Sequence, residues 1–203
     1  MIYFFELLIN GALTGLMYSL AALGIVLIYK SAGVPNLAHG AMIMLSAYFI
    51  YIFASLVGVS LWVAIPAAAV MMFLFGLIAE RFLLRRMVGQ PIIMIVMLTL
   101  GLEIFLRGLA PGLLGASPKS LSLGIGLAPI IVEGVFINRS YLWGGAIAIL
   151  MIGAALAFFQ TRLGTKLRAV SDDHVSSWSV GISVERAIGI SWGLAGVSAV
   201  AAG

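Results

Sequence analysis

Charged residues fall in narrow bands between long apolar runs. Residues 7–29 carry no Asp, Glu, Lys or Arg, and neither do residues 31–79; Lys30 alone divides them. A membrane-spanning helix needs about 20 mostly apolar residues. The first run therefore makes one helix, and the second is long enough for two. Gly58 and Ser60 in "SLVGVSLW" mark the turn between those two. The pattern predicts helices over residues 7–29, about 36–55 and 61–81. It predicts a fourth from near Pro91 to near Pro111, a fifth over 141–160, and a sixth from near Ala187 that is still running at Gly203. Pro91 suits a first helical turn, where its missing N–H costs nothing. The fold class is an all-α polytopic membrane protein, a bundle of about six spans with the last incomplete.

Composition supports that class. The chain is 63% hydrophobic and 9% charged, against about 25% charged residues in a soluble domain. So few charges cannot cover a water-facing surface. The formal net charge is +4, but the cations lie in short clusters between apolar runs, where orientation signals sit, and do not point to nucleic acid. There is no Cys, which removes disulfides and thiolate metal sites. The two His residues, His39 and His174, lie far apart without ligand-like neighbours, so no metal site is expected. The N-terminus, "MIYFFELLINGALTG", lacks a basic region and a small-residue cleavage site and reads as the first mature helix.

Arg81, Arg85 and Arg86 follow the third helix, and Arg162, Lys166 and Arg168 follow the fifth. Two spans separate these clusters, so they share a side, which the positive-inside rule makes the cytoplasm. Lys30 then lies inside too, the N-terminus outside, and segment 112–140 is external, with Lys119 and Arg139 as its cations. Within it, "APIIVEGVFINRS" has two short apolar runs about Gly134, compatible with a small hairpin or an irregular loop. Small residues recur every fourth position at Gly11, Gly15 and Ser19 and at Gly189 and Gly193, a spacing that allows close helix approach. Glu103 and Arg107 stand one turn apart on the fourth helix, the spacing of an ion pair, and are expected to be structural.

One stretch resists the lipid pattern. Residues 31–44 read "SAGVPNLAHGAMIM". Pro35 cannot continue the preceding helix without losing a backbone bond, and Asn36 is a good N-cap, which would put His39 at the third helical position beside Gly40. Two readings stand. The stretch is an ordinary turn whose Asn caps the second helix, or it is a break at membrane depth whose polar groups line a pathway.

The segment "LAALGIVLIYKSAGVPNLAHGAMIMLSAYF" resembles the start of the permease subunits of branched-chain amino-acid (leucine, isoleucine, valine) ABC importers, of the first-permease type. The matching signature is Asn36, Leu37, Ala38, His39 and Gly40. A second segment, "TRLGTKLRAVSDDHVSSWSVGISVERAIGISWGLAG", resembles the family's inner loop at Thr161, Arg162, Leu163, Gly164, Arg168, Ala169, Val170, Asp173, Gly181 and Ile182. Ser176 and Ser177, followed by Trp178, stand where the family usually has an Ala pair.

The resemblance implies an ABC-importer permease fold and a single transmembrane domain over 1–203. Because the family's chains are longer at the C-terminus, it also implies a truncated chain. It places Asn36, His39 and Gly40 in a translocation path. It makes 161–186 a cytoplasmic coupling loop with Arg168, Asp172, Asp173, Gly181 and Ile182 as its functional residues; the pattern of "TKLRAVSDDHVSSWSV" itself offers Leu167, Val170 and Val175 on a short amphipathic helix there. A surface helix lying at the lipid interface is the alternative for that segment. The partners implied are a second permease subunit, ABC ATPase subunits, a periplasmic substrate-binding protein and membrane lipid, with the bacterial inner membrane as the location.

No Gly-x-x-x-x-Gly-Lys-(Ser/Thr) occurs, so ATP hydrolysis would fall to a partner chain. The chain is then a transport subunit, not an enzyme, with no cofactor of its own. Two other classes compete. A gradient-driven transporter or channel would call for buried acids, and helices one to three offer only Glu6 and Glu80 at their ends. An intramembrane hydrolase has Ser19, Ser46 and His39 to draw on, but no supporting acid.

Overall fold

A computed structural model describes residues 2–87, 90–115, 117, 119, 121, 130–132 and 135–203. The elements are α1 (Ile2–Ala32), α2 (His39–Tyr51), a π turn (Ile52–Leu56), α3 (Leu61–Phe82), a 3-10 turn (Leu84–Met87) and α4 (Ile92–Leu114). Then come β1 (Ile130–Val132), β2 (Val135–Ile137), α5 (Arg139–Gln160), α6 (Arg162–Asp172), α7 (His174–Ser179) and α8 (Val184–Ala202). The apolar runs and the helices coincide to within a few residues. The π turn continues α2 into one membrane-length rod, and Gly58 turns into α3 with φ +77°. Pro111 does not end α4. It sits in the last turn, and the helix closes at Gly115 with φ +84°.

Among the described residues, five helices are long and apolar enough to cross a membrane: α1, α2 with its π turn, α3, α4 and α5. The sixth, α8, is less apolar and lies at the centre of the bundle, packed on α1, α2 and α3. An interior helix meets neighbours instead of lipid, so small and weakly polar residues suffice on it. Ala187, Gly189, Ser191, Gly193, Ala195, Gly196, Ser198 and Ala199 are all buried.

The α3–α8 seam depends on these small residues. A side chain at Gly76 or Gly196 would run into the backbone of Trp192 or Met72, and one at Gly193 into the Phe73 ring. The stripe on α1 behaves differently, because Gly11 and Gly15 face open space. Close approach on α1 occurs one helical stretch later, at Gly24.

At the end of the bundle opposite the basic clusters, β1 and β2 form an antiparallel hairpin, with Ile130 opposite Ile137 and Val132 opposite Val135. Of the two sequence readings of this segment, the hairpin is the one adopted; Gly134 itself lies outside the described residues. Asn10 of α1 holds the hairpin. Its Nδ2 donates to the Phe136 carbonyl at 2.8 Å, and its Oδ1 accepts from the Asn138 N–H at 3.2 Å. Asn138 then caps α5, its side chain accepting from the Ser140 N–H. Arg107 and Glu103 form the expected ion pair in the C-terminal half of α4.

Candidate functional site

The break between α1 and α2 is built from local rules. Gly33, with φ +68°, ends α1 in the left-handed conformation that residues with a Cβ avoid, and its N–H bonds the Tyr29 carbonyl at 3.0 Å. Pro35 follows. Asn36 is fully buried, yet it is not the helix cap. Its Oδ1 accepts from the Ala38 N–H at 3.0 Å, closing a turn ahead of the helix, and Ala38 takes the cap position. His39 is therefore the first helical residue, not the third. An Asn side chain reaches the N–H two residues on as readily as it caps, and here the chain has one more turn to make. The Leu37 N–H is taken up by Thr99 Oγ1 of α4 at 3.4 Å. Within the break Val34, Asn36 and Ala38 are buried, while Gly33 and Leu37 are exposed.

His39 is 1% exposed. Its ring fills the notch left by Gly24 of α1, where a side chain would meet His39 Cε1 and Nε2 and also Ser198 Oγ of α8. Neither ring nitrogen has a hydrogen-bond partner among the described residues. Unpaired buried polar groups are uncommon and call for an explanation. Gly40 points the other way and is exposed with nothing near it. The structure therefore gathers Asn36 and His39 in the interior and sets Gly40 on the outside. Gly24, Thr99 and Ser198 join the cluster. The sequence offered no spacing that tied them to it, because they come from three other helices.

The second constellation lies at the basic end. Thr161 caps α6, accepting from the Gly164 N–H, and a side chain at Gly164 would strike the backbone of Phe158 and Phe159. Arg168 reaches back and donates from Nη2 to the Phe159 carbonyl at 2.9 Å, satisfying an end group of α5. The Thr-Arg-Leu-Gly…Arg pattern is thus a tight corner between α5 and α6. Gly164, Leu167 and Val170 turn inward and are buried against the bundle. The apolar face of α6 consequently does not face a partner; its outer face, with Arg162, Leu163 and Lys166, remains exposed.

Asp173 starts α7, its carboxylate accepting from the Ser176 N–H at 3.1 Å and the Ser176 hydroxyl at 2.6 Å. Asp172 is exposed at the end of α6. Gly181, with φ +81°, closes α7. The Ile182 N–H bonds the Ser177 carbonyl and the Gly181 N–H the Trp178 carbonyl, both at 3.0 Å, while Ile182 folds onto the core. The turn leaves Trp178 at 76% and Val180 at 78% exposure. Leu167, Val170 and Val175 do not share one helix as expected: α6 ends at Asp172, Asp173 is extended, and the backbone of Val175 belongs to α7.

The two constellations touch. Ser171 Oγ of α6 donates to the Tyr29 carbonyl in the last turns of α1 at 3.4 Å, and Gly33 lies beside the Ser171 carbonyl. Lys30 Nζ sits 4.8 Å from the centre of the Phe159 ring. The α5–α6 corner is therefore seated against the end of α1 and the start of the break.

Residues 7–203 match the family model described as branched-chain amino acid transport system / permease component. The chain is 29% identical to the probable branched-chain amino acid transport permease protein LivH of Methanocaldococcus jannaschii, over 98% of this chain and 65% of that protein. It is 25% identical to the high-affinity branched-chain amino acid transport system permease protein LivH of Escherichia coli K12, over 100% of this chain and 70% of that protein. It is 24% identical to the corresponding permease protein BraD of Pseudomonas aeruginosa, over 98% and 70%. The chain thus spans 65–70% of the length of these relatives. No solved structure matches.

Proposed function

The chain belongs to the branched-chain amino acid transport permease family, and from that premise we propose that it acts as a permease subunit of an ATP-driven importer for branched-chain or related amino acids in the inner membrane. It contributes part of the translocation path around Asn36 and His39; Gly40, on the outside, is not part of that cluster. Through the outer face of α6 and the exposed α7 turn, within the coupling loop over 161–186, it docks a separate ATPase, which hydrolyses the ATP. A second permease subunit and a periplasmic binding protein complete the assembly. The basic end faces the cytoplasm, and the N-terminus and the hairpin face outside.

One observation carries this reading: the chain of contacts from α7 to the break. A partner seated on exposed Trp178, Val180 and the outer face of α6 would push a corner that Arg168 ties to α5 and Ser171 ties to α1. Movement of α6 then reaches Gly33 and the break, where the His39 ring has no hydrogen-bond partner among the described residues. The apolar inner face of α6 is already occupied by the bundle, which disfavours a helix lying free at the lipid interface.

The test is uptake of radiolabelled leucine by proteoliposomes that hold the assembled complex, with binding protein outside and ATP inside. Uptake that requires internal ATP and the binding protein supports the proposal. Uptake that survives ATP depletion and collapses with the ion gradient would make the chain a secondary transporter.

A further inference from the structure

Three charged residues at the basic end lie outside the α5–α6 corner, the α7 turn and the break. Glu80, in the last turn of α3, is buried. Arg85, in the 3-10 turn, places Nη2 at 3.4 Å from Glu80 Oε2 and Nη1 at 3.0 Å from Glu185 Oε2. Glu185 lies in the first turn of α8, directly after the segment that Gly181 closes. We infer that Arg85 is a positioning residue that locks α3 to α8 through Glu80 and Glu185, so that displacement of the inner loop moves both helices as one body. The inference rests on the import reading above.

The rest of the α3–α8 contact fits that role. The Glu80 carboxylate also lies over Gly189, where a side chain would come within 3.4 Å of Oε2. Further along, the Phe73 ring fills the notch at Gly193, and the backbones of Gly76 and Gly196 meet those of Trp192 and Met72. Sliding α8 along α3 would drive the Phe73 ring out of its notch, so the seam resists shear along its length. Its loop end has no such interlock, and there the Arg85 bridge closes it.

The two limbs of the bridge differ. Glu80 is buried and requires a counter-charge, so removing Arg85 strands a charge inside protein. Glu185 has its side chain 61% exposed. A pair with so exposed a partner adds little to stability, which leaves connection between the helices as its contribution.

The experiment uses the full-length subunit in its assembled complex. Glu185→Gln cuts the limb to α8 and spares the Glu80–Arg85 pair; Arg85→Lys keeps the charge. The expected result for Glu185→Gln is normal assembly and normal ATP hydrolysis, with uptake per ATP lowered roughly fivefold or more, as for a lost coupling of ordinary size. Arg85→Lys should retain most of the wild-type ratio. Residues 1–203 have no Cys, so with any cysteines elsewhere in the complex replaced, spin labels at Arg86→Cys and Arg186→Cys report the α3–α8 distance. That distance should be the same with and without nucleotide in the wild type, and should broaden in Glu185→Gln. An unchanged uptake-to-hydrolysis ratio in Glu185→Gln, or a wild-type distance that shifts with nucleotide, would overturn the inference. If the wild type shows no ATP-driven uptake, the import reading fails. The label distances still decide the lock, which stands if Glu185→Gln broadens them and falls if it does not.

Discussion

The imidazole of His39 occupies the space that a side chain at Gly24 would fill. Gly24 is therefore part of the His39 site although it belongs to the preceding helix. Gly24→Ala should force the ring and Ser198 aside, an overpacking that costs about 1–3 kcal/mol. Gly24→Ala combined with His39→Ala should recover part of that loss, because the new methyl group enters vacated space and contacting sites are non-additive. Thermal unfolding of the purified subunit in detergent measures both. Equal stability of Gly24→Ala and wild type would mean that the notch is not packed.

His39 and Asn36 should separate stability from transport. Both ring nitrogens of His39 lack a partner among the described residues, so an apolar side chain of similar size, His39→Leu, forfeits no hydrogen bond and should be neutral or stabilising. Uptake should nevertheless fall, if the imidazole serves the path. Asn36→Ala removes the partner of the Ala38 N–H and should cost about 1–3 kcal/mol as a buried donor left unpaired, with uptake lowered as well. Membrane levels and uptake in the complete protein are the readouts. Wild-type uptake in both variants would return the stretch to a plain turn.

The spans were legible in the sequence because lipid imposes one simple requirement, about 20 apolar residues per crossing, and lengths of uncharged chain are easily read. The α6 corner was legible as a motif, though its meaning came from geometry: Thr161 caps, Gly164 permits contact and Arg168 ties back to Phe159. Partners remote in sequence were not legible. Nothing local distinguishes Gly24, which receives a ring, from Gly11 and Gly15, which face open space. Periodicity marked Leu167 and Val170 as one face of α6 but could not say that the bundle itself covers that face. The Glu80–Arg85–Glu185 bridge joins helices whose adjacency is a fact of packing. Asn36 fits a cap and a tight turn equally well by residue type, and only the backbone decides between them.

Orientation has a direct check. The structure collects Lys30, Arg85 and Arg168 at one end of the bundle, and cation asymmetry assigns that end to the cytoplasm. Single cysteines at Arg86 and Lys119, each placed in a chain that has none, should react with an impermeant maleimide from opposite sides of the membrane. Labelling of both from one side would invert or break the proposed topology.

The inner loop gives the most direct test of the whole account. Gly181 holds φ +81°, where a β-branched residue is strained, so Gly181→Val should displace Trp178 and Val180 from their places at the turn. Arg168→Ala should free the α6 corner from α5 while leaving the buried face of α6 seated. Both variants should reach the membrane at near-normal levels. The measurement is ATPase copurification followed by substrate-stimulated ATP hydrolysis in the reconstituted full-length complex. The account predicts that Gly181→Val loses ATPase subunits during purification, and that Arg168→Ala retains them but loses substrate stimulation. Assembly and stimulated hydrolysis intact in both variants would contradict it.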